Sequence, residues 1–129
     1  MKQKVFADTN VMVDLLAHRV PFYEAAMRLF SLADRGECTI VVSALSFSTT
    51  AYLLERKLNY EDLSLVLRQF ASIVEIASVD ERTVRKSLST TSGFRDIEDA
   101  MQHYAALQTG CDAIVTRNVK DFTQADIPV

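Results

Sequence analysis

Glycine is scarce in this chain: Gly36, Gly93 and Gly110 are the three among 129 residues. None lies in "KVFADTNVMVDLL", the first strand-to-helix junction, which excludes a GxGxxG dinucleotide turn and a phosphate-cradling P-loop. Cysteine is scarce too. Cys38 and Cys111 are too few for a disulfide framework, and no CxxC or Cys/His cluster suggests zinc. Each opens an apolar run, "ECTIVV" and "CDAIV", and reads as a small buried residue. No apolar run approaches the roughly 20 residues of a membrane helix. "MKQK" leads straight into a strand-like segment with no room for a secretory leader, so a cytoplasmic protein is expected. An excess of basic residues is also missing. Fourteen Lys and Arg stand against 17 Asp and Glu, for a net charge of −3. Sequence-specific nucleic-acid binders are usually basic. Any phosphate-binding surface here must be local, or must borrow its positive charge from metal ions.

What is present suffices for a globular core. Hydrophobic residues make up 49% of the chain, and its length predicts one domain over residues 1–129. Short apolar runs at Lys4–Ala7, Thr39–Val42, Ile73–Ile76 and Ala113–Thr116 read as buried strands, and "IPV" at the end as a further short one. Helical spacing predicts helices over Val11–Ala17, Phe22–Asp34, Ala44–Arg56, Asn59–Phe70, Asp80–Leu88 and Asp96–Thr109. Gly36 and Gly110 sit where C-caps are expected, and Ser43 where an N-cap is. "STTSGF" reads as a loop. Strands alternating with helices predict a three-layer α/β/α sandwich around a mostly parallel sheet.

In such a sheet, ligands bind beyond the carboxyl ends of the strands. Asp8 follows the first strand, while Asn118 and Asp121 follow "AIVT". Asp96 and Asp99 open the helix that leads into that strand and share one of its faces. A helix feeding a parallel strand runs antiparallel to it, so its N-terminus lies at the same sheet edge. Asp8, Asp96, Asp99 and Asp121 can therefore converge. Such a cluster either keeps protons or binds a cation, and hard oxygen ligands suit Mg²⁺ or Mn²⁺. Metal-assisted phosphodiester hydrolysis is the natural chemistry.

Each acid also has a plainer reading. Asp8 can cap the first helix, Asp96 with Asp99 can form an N-cap and a first-turn acid, and Asp121 can serve a turn. These roles do not exclude metal binding, because a capping carboxylate has a second oxygen. Asp14 is expected either behind the metal ligands or as a solvated charge, and Asn10 behind Asp8 in the same junction. His103, on the Asp99 helix, reads as structural. Arg95, Arg117 and Lys120 flank the acids and could hold RNA phosphates.

Together "VFADTNVMVDLL", "FRDIEDAMQHYAAL" and "DAIVTRNVKDF" resemble the PIN-domain family of metal-dependent ribonucleases, in the family's order and spacing and nearly end to end. The pattern is similar to the bacterial branch that includes VapC-type toxins. The resemblance implies an α/β/α sandwich that gathers three or four acids around Mg²⁺ or Mn²⁺ and cleaves RNA. It also implies a homodimer and, for a toxin, a small antitoxin. Carried over by position, Asp8 matches the first-strand acid, Asp99 the acid of the later helix and Asp96 its companion. Asn118 and Asp121 match the acidic or amide positions after the last strand. One position departs from the pattern. The family usually places a glutamate in the helix after the second strand; here Thr49, or Ser48, takes that place, and Glu55 lies too far round the helix to replace it.

Two other readings compete. One keeps the PIN fold without catalysis, as a protein- or RNA-binding module, and the missing glutamate motivates it. The other is a phosphoacceptor receiver domain of similar length. That fold wants an acidic pair after the first strand, where "FADTN" has one acid, and an aspartate directly after the third, where Asp80 lies four residues on.

Overall fold

The computed structural model describes residues 2–89, 92–123 and 125–129. Its frame is a four-stranded sheet of β1 (Lys4–Ala7), β2 (Thr39–Ser43), β3 (Glu75–Ala77) and β4 (Ala113–Val115). The spatial order is β3-β2-β1-β4, and every neighbouring pair is parallel. The chain steps outward from β1 through β2 to β3, then crosses back to place β4 on the other side of β1. The strand order therefore reverses between β1 and β4, and a crevice opens at their carboxyl ends.

Alternation along the strands divides the core in two. Val5, Ala7, Ile40 and Val42 face one side, where they meet Val11 and Met12 of α1 (Thr9–Leu16), Ala26 and Phe30 of α2 (Tyr23–Asp34) and Phe70 of α4 (Tyr60–Ala71). Phe47 of α3 (Ala44–Leu54) packs against the same cluster. Phe6, Val41 and Ile114 face the other side, against Ala105 and Ala106 of α6 (Ile97–Gln108) and Phe122 of a 3-10 turn (Val119–Phe122). The outermost helix there, α5 (Glu81–Ser87), is tied to α6 by a hydrogen bond from Thr83 Oγ1 to Gln108 Oε1 at 2.8 Å. This is the three-layer α/β/α sandwich that the strand and helix pattern predicts.

Caps set the helix boundaries. α1 starts at Thr9, two residues before the apolar run that signals it, because Asp8 caps it. Ser43, Asn59, Asp80 and Asp96 cap α3, α4, α5 and α6 with their side chains. α2 starts at Tyr23 rather than Phe22 and has no side-chain cap. α2 and α6 both end in paired reverse bonds. Gly36 N donates to Ala33 O and Glu37 N to Leu32 O; Gly110 N donates to Leu107 O and Cys111 N to Ala106 O. This closure needs a left-handed residue, and the two glycines supply it at φ 76° and 72°.

Two strand expectations are corrected. β3 begins at Glu75, not Ile73, because the Ile73 amide still donates to Phe70 O and closes α4. The C-terminal "IPV" forms no strand. Pro128 O accepts from Ile114 N at 2.8 Å, but proline has no N–H to return, so one bond forms and no ladder. Of the "STTSGF" loop, Thr90 and Thr91 lie outside the described residues. Among the described residues, no helix is long and apolar enough to cross a membrane.

Phe70 joins α4 to the core, with its ring 5.0 Å from Phe30 and 5.8 Å from Phe47. Phe70→Ala should cost about 3–5 kcal/mol in denaturant unfolding, because the hole cannot collapse between two other rings. Tyr60→Ala, at an exposed position of the same helix, should cost under about 0.5 kcal/mol.

Candidate active site

Three chain segments meet at the crevice. Asp8 leaves β1 and caps α1, Asp96 caps α6, and Thr116 to Asp121 follow β4. Both helix N-termini, with their positive dipole ends, therefore lie at one place. Asp8 is nearly fully buried, and each of its oxygens is held. Oδ1 accepts from the Thr9 amide at 2.8 Å and from Gln102 Nε2 at 3.1 Å; Oδ2 accepts from Thr116 Oγ1 at 2.9 Å. Its backbone amide also continues the β1–β4 pairing by donating to Val115 O at 2.9 Å.

Asp96 Oδ1 accepts from the Asp99 amide at 3.1 Å, so the plain capping reading of this pair holds. The Asp99 carboxyl is half-buried in the cleft beside it and is pushed up to about 7. Burial is the largest cause, followed by the charges of Asp96, Asp8, Asp121 and Glu98. Glu98 is pushed up as well, by desolvation and then by Asp8 and Asp96, with a Thr9 hydrogen bond working against the rise. Three of the four expected acids thus act on the fourth, Asp99, through space, and Glu98 joins them. The cleft has a volume of about 540 Å³ and is lined by Phe94, Arg95, Asp96, Asp99, Lys120 and Asp121 among others. Arg95 and Lys120 stand on its wall. Asn118 is exposed at the start of the 3-10 turn, where its carbonyl accepts from the Asp121 amide at 2.9 Å.

Two expectations change. Asp14 is neither a solvated charge nor directed at the acids. It is buried and holds Arg117 with both oxygens, at 2.6 Å from Nε and 3.0 Å from Nη2. The guanidinium also stacks 3.9 Å over the Phe22 ring. Arg117 is therefore engaged through Nε and Nη2 in a pair with a buried carboxylate. Asn10 does serve the junction: its Nδ2 donates to Thr116 Oγ1 at 3.2 Å, and its Oδ1 accepts from the Arg117 amide at 3.4 Å. Thr49 is half-exposed, one turn beyond Ser46 on α3. His103 is buried, its Nε2 accepts from the Asp126 amide at 3.0 Å, and burial lowers its pKa. It tethers the C-terminal segment, as a structural histidine would.

Sequence reasoning missed three residues of this site. Glu98 does not stand out, because its neighbours Asp96 and Asp99 carry the spacing that marks a shared helix face. Thr116 looked like the last residue of a strand. Gln102 sits three residues after Asp99, and that spacing was the available signal.

Mg²⁺ or Mn²⁺ fits this donor set in one form only. Among the described residues, no three His, Cys, Asp or Glu side chains form a ready-made cage. A hard cation held by one or two carboxylates, with water and phosphate at its other positions, needs no cage. Burial first, and then the charges of the neighbouring acids, raise Asp99, and that uncompensated acidity is the local reason a cation is favoured.

Asp96→Asn should keep the α6 cap and leave stability within about 0.5 kcal/mol, whereas Asp96→Ala should lose about 1 kcal/mol in urea unfolding. Arg117→Ala should cost about 3–5 kcal/mol, because Asp14 is left charged and buried.

Comparison with known proteins agrees with this geometry. A family model described as a PIN domain matches residues 4–120. The ribonuclease VapC1 of Aquifex aeolicus (strain VF5) is 27% identical over 130 residues, covering 98% of this chain and 89% of that protein. Two solved structures share the fold. The sarcin-ricin-loop-cleaving toxin VapC20 of Mycobacterium tuberculosis has a TM-score of 0.68 at 13% identity, over 97% of this chain and 99% of that one. VapBC2 of Rickettsia felis, bound to a DNA fragment from its promoter, has a TM-score of 0.67 at 20% identity, over 98% of this chain and 96% of that one. A family match over nearly the whole chain, on a sheet whose switch point gathers these acids, establishes that this chain belongs to the PIN-domain family.

Proposed function

We propose that this protein is an Mg²⁺- or Mn²⁺-dependent endoribonuclease, the toxin of a toxin–antitoxin pair, acting in the cytoplasm as one catalytic domain over residues 1–129. The observation that carries the proposal is the Asp99 carboxyl, held far above its ordinary value by burial and by Asp96, Asp8, Asp121 and Glu98 in an open cleft. A nuclease of this kind needs such an excess of uncompensated acid where a scissile phosphate can enter. The VapC1 relative supports the substrate class, and the VapBC2 structure supports a partner protein of the antitoxin kind. A homodimer is part of the proposal on the family resemblance.

One or two of the expected ligands Asp8, Asp99 and Asp96 would hold the ion directly, with the others and Asp121 completing the acidic wall. Bound there, the ion would supply Lewis-acid activation of water and neutralise charge at the phosphodiester. The chain's own residues do the rest. Asp8 presents its carboxylate in a fixed orientation. Arg95 and Lys120 offer positive charge at the cleft wall to an incoming phosphate. Asn118, exposed at the start of the 3-10 turn that carries Lys120 and Asp121, would add a polar contact to substrate. Thr49 would supply a neutral hydroxyl at the position where the family carries a glutamate, which favours a single ion.

Asp8→Asn and Asp99→Asn should each lower Mn²⁺-dependent cleavage of a single-stranded RNA by at least about 100-fold, with folding intact by circular dichroism. Cleavage at the wild-type rate in both variants would overturn the assignment. The raised Asp99 also sets a pH dependence. A metal must displace its proton, so Mn²⁺ affinity measured by calorimetry should rise by up to about tenfold per unit from about pH 5 to about pH 7, then level off. Stability of the metal-free protein should run the other way. The folded state holds the Asp99 proton to about 7, whereas the unfolded state releases it near 3.8, so stability falls as pH rises between these values. Asp99→Asn should flatten that limb in thermal melts.

A further inference from the structure

Behind the acids lies a polar network with no place in the chemistry so far. Gln102 is completely buried on α6. Its Nε2 lies 3.1 Å from Asp8 Oδ1, 3.1 Å from Thr9 Oγ1 and 3.0 Å from Ser46 Oγ. Its Oε1 accepts from Ser43 Oγ, and Ser43 caps α3. Thr9 and Ser46 bond to each other at 2.6 Å. One amide therefore ties α6 to the starts of α1 and α3 and to the ends of β1 and β2.

Chemistry fixes the orientation of that amide. Turned over, its oxygen would face the Asp8 carboxylate, acceptor against acceptor. Nε2 has two hydrogens for three oxygens, and a carboxylate is the strongest acceptor of the three. Thr9 and Ser46 have each other, so the bond to Asp8 is the one the network sustains.

A carboxylate oxygen has about two acceptor sites. On Asp8, Oδ1 fills both, with the Thr9 amide and Gln102. Oδ2 fills one, with Thr116. Among the described residues a single open site remains, and it is on Oδ2. We infer that Gln102 is a positioning residue that, by occupying Oδ1 from behind, makes Asp8 a one-oxygen ligand directed through Oδ2; this rests on the metal-dependent reading above. The same network crosses the start of α3, the helix in which this chain carries Thr49 instead of the family's glutamate. Neutral donors around Asp8 thus fix its geometry without adding a charge.

Mn²⁺ titration of the full-length protein by calorimetry tests this. Gln102→Met keeps the volume and removes the donor, and should weaken Mn²⁺ binding by at least about tenfold. Leu63→Ala, in the distant α4 core, serves as a destabilised control and should bind Mn²⁺ within about twofold of wild type at a lowered melting temperature. Wild-type affinity in Gln102→Met, or an equal loss in Leu63→Ala, overturns the inference and leaves the nuclease reading standing. Absence of Mn²⁺ binding by the wild-type protein overturns both. Should Gln102→Met fail to fold, infrared difference spectra of wild-type protein carrying ¹³C-aspartate decide the matter. The Asp8 band, identified by its loss in Asp8→Asn, should widen its carboxylate splitting on Mn²⁺ addition, as one-oxygen ligation does. A narrowed splitting means two-oxygen ligation and overturns the inference.

Discussion

Everything at the active edge of this protein depends on how one buried carboxylate is held. Asp8 ends the central strand and starts the first helix, and it is nearly inaccessible to water. An isolated buried carboxylate is costly. Three donors make this one tolerable: a helix-start amide, the Gln102 side chain and the Thr116 hydroxyl. Those donors come from three separate segments. Satisfying Asp8 therefore fixes where α6 and the end of β4 sit relative to β1, and the cleft between them follows. Stability and site geometry are the same set of hydrogen bonds.

The electrostatic design around it is one of segregation. Arg117 is drawn away from the acids by Asp14 and by the Phe22 ring, on the far side of the β4 turn. It therefore neutralises a buried charge without quenching the cleft. Arg95 and Lys120 remain on the cleft wall, where they meet solvent and any entering polyanion. Burial, and after it the charges of Asp96, Asp8, Asp121 and Glu98, raises Asp99 in that cleft. An acidic protein can in this way recruit phosphate locally, with no basic surface overall.

Much of this was legible in the chain. The apolar runs "KVFA", "TIVV" and "AIVT" predict the buried strands because a parallel sheet covered on both faces leaves few polar positions in its strands. Asp8, Ser43 and Asp96 are visible as caps because a helix start leaves amides that need an acceptor. The acids are legible because topology alone brings strand ends and the α6 start to one edge. The Asp14 partner of Arg117 was not legible, because it lies 103 residues away and no local pattern announces a long-range pair. Gln102 was missed for a related reason: an amide inside an amphipathic helix looks like surface until the helix is docked.

The sequence by itself determined the order of β1 to β4 and of the helices, the side-chain caps Asp8, Ser43 and Asp96, and four of the acids at one sheet edge, since each follows from short-range spacing and backbone chemistry. Tertiary structure alone decided what each polar side chain faces. It committed Arg117 to Asp14, set His103 to tether the C-terminal segment, and placed Gln102 behind Asp8. Those outcomes depend on which surfaces are buried against each other, and burial is what turns an ordinary polar side chain into one that must find a specific partner.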